Sequence, residues 1–164
     1  NNYKKFNLNI PIYRIRGIVP KKGYKNISRG QKGCSLSHIK ILKHISQKKN
    51  GWYLICEDDC VGNFNLIGRK TKIIRNLLPF IGTINLFSEK TKNNGFGFNT
   101  CTSCYLVKPW CAELMYKIML KDLKKRPCDC NLHLSKKLSL YSFHLHNAMN
   151  ISGRDSTIEK INNE

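Results

Sequence analysis

The hydrophobic positions of this chain fall into short continuous runs, separated by stretches in which apolar residues recur every three or four places. Trp52-Tyr53-Leu54-Ile55-Cys56 is one such run. It is too short for a helix and rich in aromatic and aliphatic residues, so it predicts a core strand, and that strand ends on Glu57-Asp58-Asp59. Upstream, Leu36, Ile39, Leu42 and Ile45 form a helical stripe that Ser35 or Ser37 can cap and that Lys49-Asn50-Gly51 stops. Downstream, Ile73, Ile74, Leu77 and Leu78 predict a helix closed by Pro79, and Thr83 to Phe87 predicts a strand. Ser88 to Thr100 is polar and rich in glycine and asparagine, which suits a hairpin connection or a mobile loop over a binding site. Cys104 to Val107 reads as a further strand, and Pro109 opens a helix running to the region of Leu123. A short helix or turn follows Asp129, and Leu138 to Phe143 reads as a strand, as does the alternating segment Ile12 to Gly17. Strands alternating with helices predict an α/β sheet, mixed but mostly parallel and flanked by helices. The length predicts a single domain over residues 1–164, with a frayed polar tail after Ile158.

Consecutive carboxylates at the end of a buried strand are costly unless something cationic meets them. In open α/β sheets, ligands sit in the crevice outside the carboxyl ends of the strands, so Glu57, Asp58 and Asp59 are where function is sought. If the chain stays extended there, Glu57 and Asp59 point to one side and Asp58 to the other.

Charge adds a second possibility. The chain carries 29 Lys and Arg against 10 Asp and Glu, a net charge of +19, and such a surface attracts phosphate. The lysines are nevertheless scattered in pairs (Lys21-Lys22, Lys48-Lys49, Lys124-Lys125, Lys136-Lys137), without the aromatic interleaving of a single-strand binder. Heavy joint use of Lys, Asn and Ile is also what A+T-rich coding imposes. Nucleic acid is therefore not the favoured partner, and an anionic membrane surface or anionic glycan acceptor is the alternative use of the charge. Hydrophobic residues at 41% and charged residues at 24% argue against a disordered chain. No apolar stretch approaches the roughly 18 residues needed to span a bilayer, and no signal peptide is seen, so a cytoplasmic protein, at most peripheral to a membrane, is expected.

Of the eight cysteines, Cys101-x-x-Cys104 and Cys128-x-Cys130 could together supply thiolates to a structural zinc. Strand alternation would point Cys101 and Cys104 to opposite faces, so free, buried thiols in a reducing compartment, without zinc, are the expectation.

The order of these elements resembles glycosyltransferase family 25, the group of lipooligosaccharide and collagen galactosyltransferases. The family's glycine pair, Cys and Ser-His at the opening of a helix appear as Gly30, Gly33, Cys34, Ser37 and His38, and its Glu-Asp-Asp strand end as Glu57-Asp58-Asp59. Its next apolar strand is similar to Ile84-Asn85-Leu86-Phe87. Its "Tyr-apolar, then Ala-x-x-Leu" unit is similar to Cys104-Tyr105-Leu106-Val107 with Ala112-Glu113-Leu114-Met115. Arg126-Pro127-Cys128-Asp129 matches a Pro-x-Asp element and Asp155-Ser156-Thr157-Ile158 a Ser-x-Ile element. The family's first strand, with its Asn-Leu and pair of arginines, has no counterpart in NNYKKFNLNIPIYRIRG, which implies an N-terminally incomplete domain whose second strand is Ile12 to Gly17.

The resemblance implies a GT-A-type fold and a metal-dependent, inverting hexosyltransferase. Such an enzyme moves galactose or glucose from a UDP-sugar to a hydroxyl of a glycan or glycoprotein acceptor, as in lipopolysaccharide biosynthesis. It implies Mn²⁺ or Mg²⁺ held by Asp59. Gly33, Ser37, His38, Glu57 and Asp58 would contact the nucleotide-sugar donor, Ser37-His38 lying near a helix N-terminus whose N–H groups meet phosphate. Asp129 is the candidate base for the acceptor hydroxyl, with a helix N-cap as its alternative role. His144 and His146, alternating onto one strand face, are candidate further ligands. The competing functions are a degenerate transferase domain that binds a glycan or a partner, and a basic nucleic-acid-binding module.

Overall fold

The first helix begins about two turns ahead of the serines that the hydrophobic stripe suggests. Ser28 Oγ accepts from the Gln31 N–H at 3.2 Å, and the Gln31 side chain accepts from the Ser28 N–H at 3.0 Å. This reciprocal capping box satisfies donors that a helix start otherwise leaves open, and it sets α1 at Arg29–Ser46. Ser35 and Ser37 are therefore interior, and each turns its hydroxyl back to a carbonyl four residues earlier. Ile39, Leu42 and Ile45 are buried as the stripe requires, and Gly51, at φ +109°, takes the left-handed conformation that turns the chain toward the sheet.

The structure is a computed structural model that describes residues 12–58, 60–61, 64–86, 94–98, 102–145 and 150–151. After α1 come β1 (Tyr53–Cys56), β2 (Cys60–Val61), α2 (Phe64–Leu77), β3 (Thr83–Asn85), β4 (Gly95–Phe96) and β5 (Cys104–Val107). They are followed by α3 (Pro109–Asp122), α4 (Cys128–His133), α5 (Lys136–Ser139), β6 (Ser142–His144) and β7 (Asn150–Ile151). Five strands form a mixed sheet in the order β1-β5-β3-β6-β4, and β2 pairs with β7 apart from it.

The sheet corrects the expectation of mostly parallel pairing. Only β3 and β6 pair in parallel among the described residues, whereas β1–β5, β3–β5 and β4–β6 are antiparallel. The physical reason lies between β3 and β5. A parallel return needs a crossover of about a dozen residues, usually a helix, but the described part of that connection holds the strand β4 and no helix. β5 therefore runs back between β1 and β3, and those two strands point the same way without touching.

Two further readings change. Residues 12–20 take no regular structure, because the segment is tied to α1 instead of to a strand: the Ile18 N–H donates to Ser37 Oγ and Arg29 Nε to the Pro20 carbonyl, both at 2.8 Å. Leu138 to Phe143 splits into α5 and β6. Ser135 Oγ accepts from the Leu138 N–H and starts the short helix, so Leu138 is buried while Leu140 is exposed, although both fit one strand face.

Alternation along the strands divides the core. Ile55, Tyr105 and Val107 pack with Leu42 of α1 and Met115 and Met119 of α3. Cys104, Leu106 and Ile84, with Cys56 beside them, pack with Ile74 of α2 and Ile81. Helices thus cover both faces of the sheet. Gly82, at the entry to β3, allows the start of α3 to close on it: a Cβ there would lie 2.5 Å from the Trp110 ring.

Candidate active site

Glu57 follows the last residue of β1, at the carboxyl end of an edge strand. Its N–H donates to the Ser103 carbonyl at 2.7 Å, extending the β1–β5 ladder by one pair, and the Cys60 N–H then donates to the Glu57 carbonyl at 3.3 Å. The chain turns at this point, so the extended geometry that would put Glu57 and Asp59 on one side does not apply. Asp58 is exposed in the turn, and Asp59 lies outside the described residues.

The Glu57 carboxylate is held by three side chains. His38 Nε2 lies 3.0 Å from Oε1, Thr102 Oγ1 donates to the same oxygen at 3.3 Å, and Cys34 Sγ approaches it at 3.8 Å. His38 is itself fixed from the other ring nitrogen, with Nδ1 2.9 Å from the Tyr105 hydroxyl. A carboxylate only accepts, so Nε2 carries a proton, and the Tyr105 hydroxyl donates to Nδ1 or accepts from it as the imidazole titrates. His38 is 4% exposed, whereas the Glu57 side chain keeps 30% of its surface. One partner is therefore core and the other reaches solvent.

Burial works against both charges, but the pair outweighs it. For Glu57, desolvation is the largest influence; the His38 hydrogen bond and charge, with Thr102 and Cys34, overcome it and hold the carboxyl below its ordinary value. For His38, desolvation again opposes the charge, and the bond to Glu57 with the nearby Cys128, Glu57 and Asp129 charges raises the imidazole above its ordinary value. Burial first, then the neighbouring charges, keep the Tyr105 hydroxyl protonated. Beneath Glu57, Cys34 and Cys128 meet at 3.8 Å, and the Cys128 N–H donates to Ser35 Oγ at 3.1 Å, docking the start of α4 onto α1.

The remaining sequence candidates divide. Ser37 and His38 lie inside α1, not at its N-terminus, because the capping box places the start at Ser28; their backbone N–H groups are therefore not the open ones that would meet phosphate. Gly33 is likewise helical and makes no turn, but it does permit a close approach: a Cβ would lie 2.6 Å from the Ile18 carbonyl oxygen. With Ser37 bonding Ile18 N–H, the two residues seat the 12–20 segment on the helix. Asp129 stands in the first turn of α4, where Pro127 is the N-cap, and its Oδ1 accepts from the Cys130 N–H at 2.8 Å. The N-cap role is thus taken by another residue. His144 is on β6, three strands from β1, roughly 14 Å across the sheet, and its Nδ1 lies 3.4 Å from the Gly97 carbonyl; it does not join the Glu57 cluster. His146, Cys101 and Asp155 lie outside the described residues, as does most of the 88–100 segment.

The zinc quartet that the spacing offered as an alternative does not assemble from its described members. Cys104 faces α2 and lies 3.2 Å from Cys56, while Cys128 meets Cys34 on the α1 side. Sequence reasoning missed Thr102 as a partner of Glu57, Tyr105 as the partner of His38, and Cys128 as the partner of Cys34. Tyr105 was visible in the motif Cys104-Tyr105, but its role emerges only once β5 is paired with β1. A cleft of about 470 Å³, lined by Trp52, Lys108, Trp110 and Lys49, opens at the opposite end of β1 and contains none of these groups.

A family model described as glycosyltransferase family 25 (LPS biosynthesis protein) matches residues 15–107, more than half of the chain. That span includes α1, the sequence Glu57-Asp58-Asp59 and β5. No curated protein matches, and no solved structure does.

Proposed function

The chain belongs to glycosyltransferase family 25, and we propose that it transfers a hexose, galactose or glucose, from a UDP-sugar to a hydroxyl of a glycan or glycoprotein acceptor, with inversion and on a GT-A-type fold. The observation that carries this reading is a carboxylate at the end of β1 held ionised by a buried histidine, with two more acids following it in sequence. A structural ion pair alone would not require Glu57 to stay partly open to solvent.

The donor chemistry fits a hard divalent ion. Glu57 Oε1 takes the bonds from His38, Thr102 and Cys34, and the family resemblance implies that Asp59, next in sequence to the exposed Asp58, would hold Mn²⁺ or Mg²⁺. When bound, such an ion supplies Lewis-acid stabilisation to the departing diphosphate. The chain's own residues do the rest. His38 fixes the rotamer and charge of Glu57, so that the carboxylate can orient the donor's hydroxyls. Gly33 and Ser37 hold the 12–20 segment against α1 and so act by positioning. Asp129, in the first turn of α4 near His38, takes the proton from the acceptor hydroxyl as that oxygen attacks the anomeric carbon.

A thermal-shift panel of nucleotide sugars with and without Mn²⁺ tests this reading, because a ligand selective for the folded state raises its apparent stability. UDP with Mn²⁺ should raise the melting temperature, and Asp59→Ala should remove the metal-dependent part. An unchanged curve at saturating UDP and Mn²⁺ rejects the transferase reading. Binding of UDP-sugar without turnover would instead support a degenerate domain, and steep salt-dependent binding to any duplex, indifferent to UDP, a nucleic-acid module.

A further inference from the structure

On the face of the sheet opposite His38, three cysteines from three strands come together. Cys56 ends β1, Cys104 begins β5 directly across from it in register, and Cys60 begins β2 after the turn. Their sulfurs all lie within 4.8 Å of one another, with Cys56 and Cys104 at 3.2 Å. Tetrahedral Zn–S bonds of about 2.3 Å put thiolates roughly 3.8 Å apart, so the set needs only side-chain adjustment to embrace an ion. The backbone explains the convergence. Because the Glu57 N–H bonds the Ser103 carbonyl, the neighbouring 56/104 pair is of the non-hydrogen-bonded kind, whose side chains approach most closely. The turn from Glu57 to Cys60 then returns a third thiol to the same face.

We infer that Cys56, Cys60 and Cys104 form a binding site for one thiophilic metal ion, of which Zn²⁺ is the natural example, with solvent or an exogenous ligand completing the tetrahedron. The soft, uniform donor set selects such an ion over the hard cations that carboxylates hold. The other group of potential ligands, Cys34, His38 and Glu57, is a weaker candidate, since His38 and Glu57 are already bonded to each other. Cys104 is buried while Cys56 and Cys60 keep partial exposure, which gives an ion a path inward. On binding, the thiols release their protons and the ion takes their place. Cys56 and Cys104 face each other across the β1–β5 ribbon, and Cys60 joins them from the start of β2. The site is independent of any donor chemistry at Glu57.

The test is an anaerobic Co²⁺ titration of the full chain, followed by thiolate-to-cobalt charge-transfer absorption and then by Zn²⁺ displacement. The wild type should bind Co²⁺ stoichiometrically, and Zn²⁺ should bleach the band. Cys60→Ser and Cys56→Ser should each weaken binding by more than the roughly 10- to 100-fold that loss of a merely supporting partner costs. Cys130→Ser, half-buried and elsewhere, should behave as wild type. Circular dichroism on each variant separates lost binding from lost folding, and the half-buried Cys60 is the substitution least able to disturb the core. Absence of the band in folded wild-type protein with all eight thiols free overturns the inference. So does a band that survives Cys60→Ser and Cys56→Ser but disappears in Cys34→Ser. A Cys56–Cys104 disulfide found by alkylation mapping of freshly purified protein would overturn it as well.

Discussion

The two faces of the β1–β5 ribbon carry polar atoms of opposite character. Toward α1 the ribbon presents Glu57 and Tyr105, and His38 bridges them with bonds of 3.0 and 2.9 Å. Toward α2 it presents Cys56 and Cys104, joined by Cys60, whose Sγ donates to the Ser103 carbonyl at 2.8 Å. One face pairs a base with an acid and so fixes a charge. The other gathers like groups that gain nothing from one another once ionised. Strand alternation places groups of different chemistry a single residue apart, Glu57 facing one helix layer and Cys56 the other.

Several substitutions would break or sharpen this contrast. The largest effect is expected on turnover. If the α1 side is the reacting side, Asp129→Asn should lower transfer by roughly 10²- to 10⁴-fold while leaving UDP and metal binding intact, as measured by steady-state kinetics beside calorimetry. Near-wild-type turnover would remove Asp129 from the chemistry. Because Asp129 is not the N-cap of α4, stability should change by less than about 1 kcal/mol, the scale of a carboxylate's interaction with a first helical turn.

Next comes His38→Ala, which strips a donor from Glu57 and a partner from the buried Tyr105 hydroxyl. Each buried group left without a partner costs about 1–3 kcal/mol, so denaturant midpoints should fall clearly for this variant and much less for Cys60→Ser. Equal losses from both variants would mean that the two faces do not differ as described.

The pH dependence of stability separates the faces further. Glu57 is held below its ordinary 4.5, so its contribution is present above pH 4.5 and is lost as pH falls through the folded value. His38 is held above its ordinary 6.5, so its contribution is complete below pH 6.5 and is lost as pH rises through the folded value. The pair therefore stabilises most between pH 4.5 and 6.5. Denaturant titrations across pH should show that optimum in the wild type and a flatter profile in His38→Gln.

The smallest expected effect is local. Ser28→Ala removes half of the capping box and should cost about 1 kcal/mol of stability, with fraying of the first turn of α1 visible by hydrogen exchange. A larger loss would mean that the 12–20 segment depends on this turn more than its bonds to Arg29 and Ser37 indicate.

Much of the fold was legible in the residues. The strand before Glu57, the helix after Lys108, and the buried stripe Ile39, Leu42 and Ile45 follow from period and from proline placement. The start of α1 was misplaced because Ser35 and Ser37 looked like caps, while Gln31 three residues after Ser28 marks the true box. Strand direction was missed because pairing is a long-range property: nothing local in Cys104-Tyr105-Leu106-Val107 says that it returns antiparallel between β1 and β3. The acids are singled out by the strand end and the family pattern, and Glu57 does follow the last residue of β1. Their support is not singled out, because Thr102 meets Glu57, Tyr105 meets His38 and Cys128 meets Thr102 only in the folded chain. The cysteines show the same limit, for sequence spacing groups Cys104 with Cys101 while pairing groups it with Cys56.

The central proposal is that the acids after β1 hold a hard metal with a nucleotide. It is tested most directly by titrating Mn²⁺ into the protein with and without UDP and following loss of the free-ion electron paramagnetic resonance signal. The account predicts stoichiometric binding that UDP strengthens, that Asp59→Ala abolishes and that Cys60→Ser leaves unchanged. Mn²⁺ that stays free at saturating UDP, or binding that survives Asp59→Ala, would contradict it.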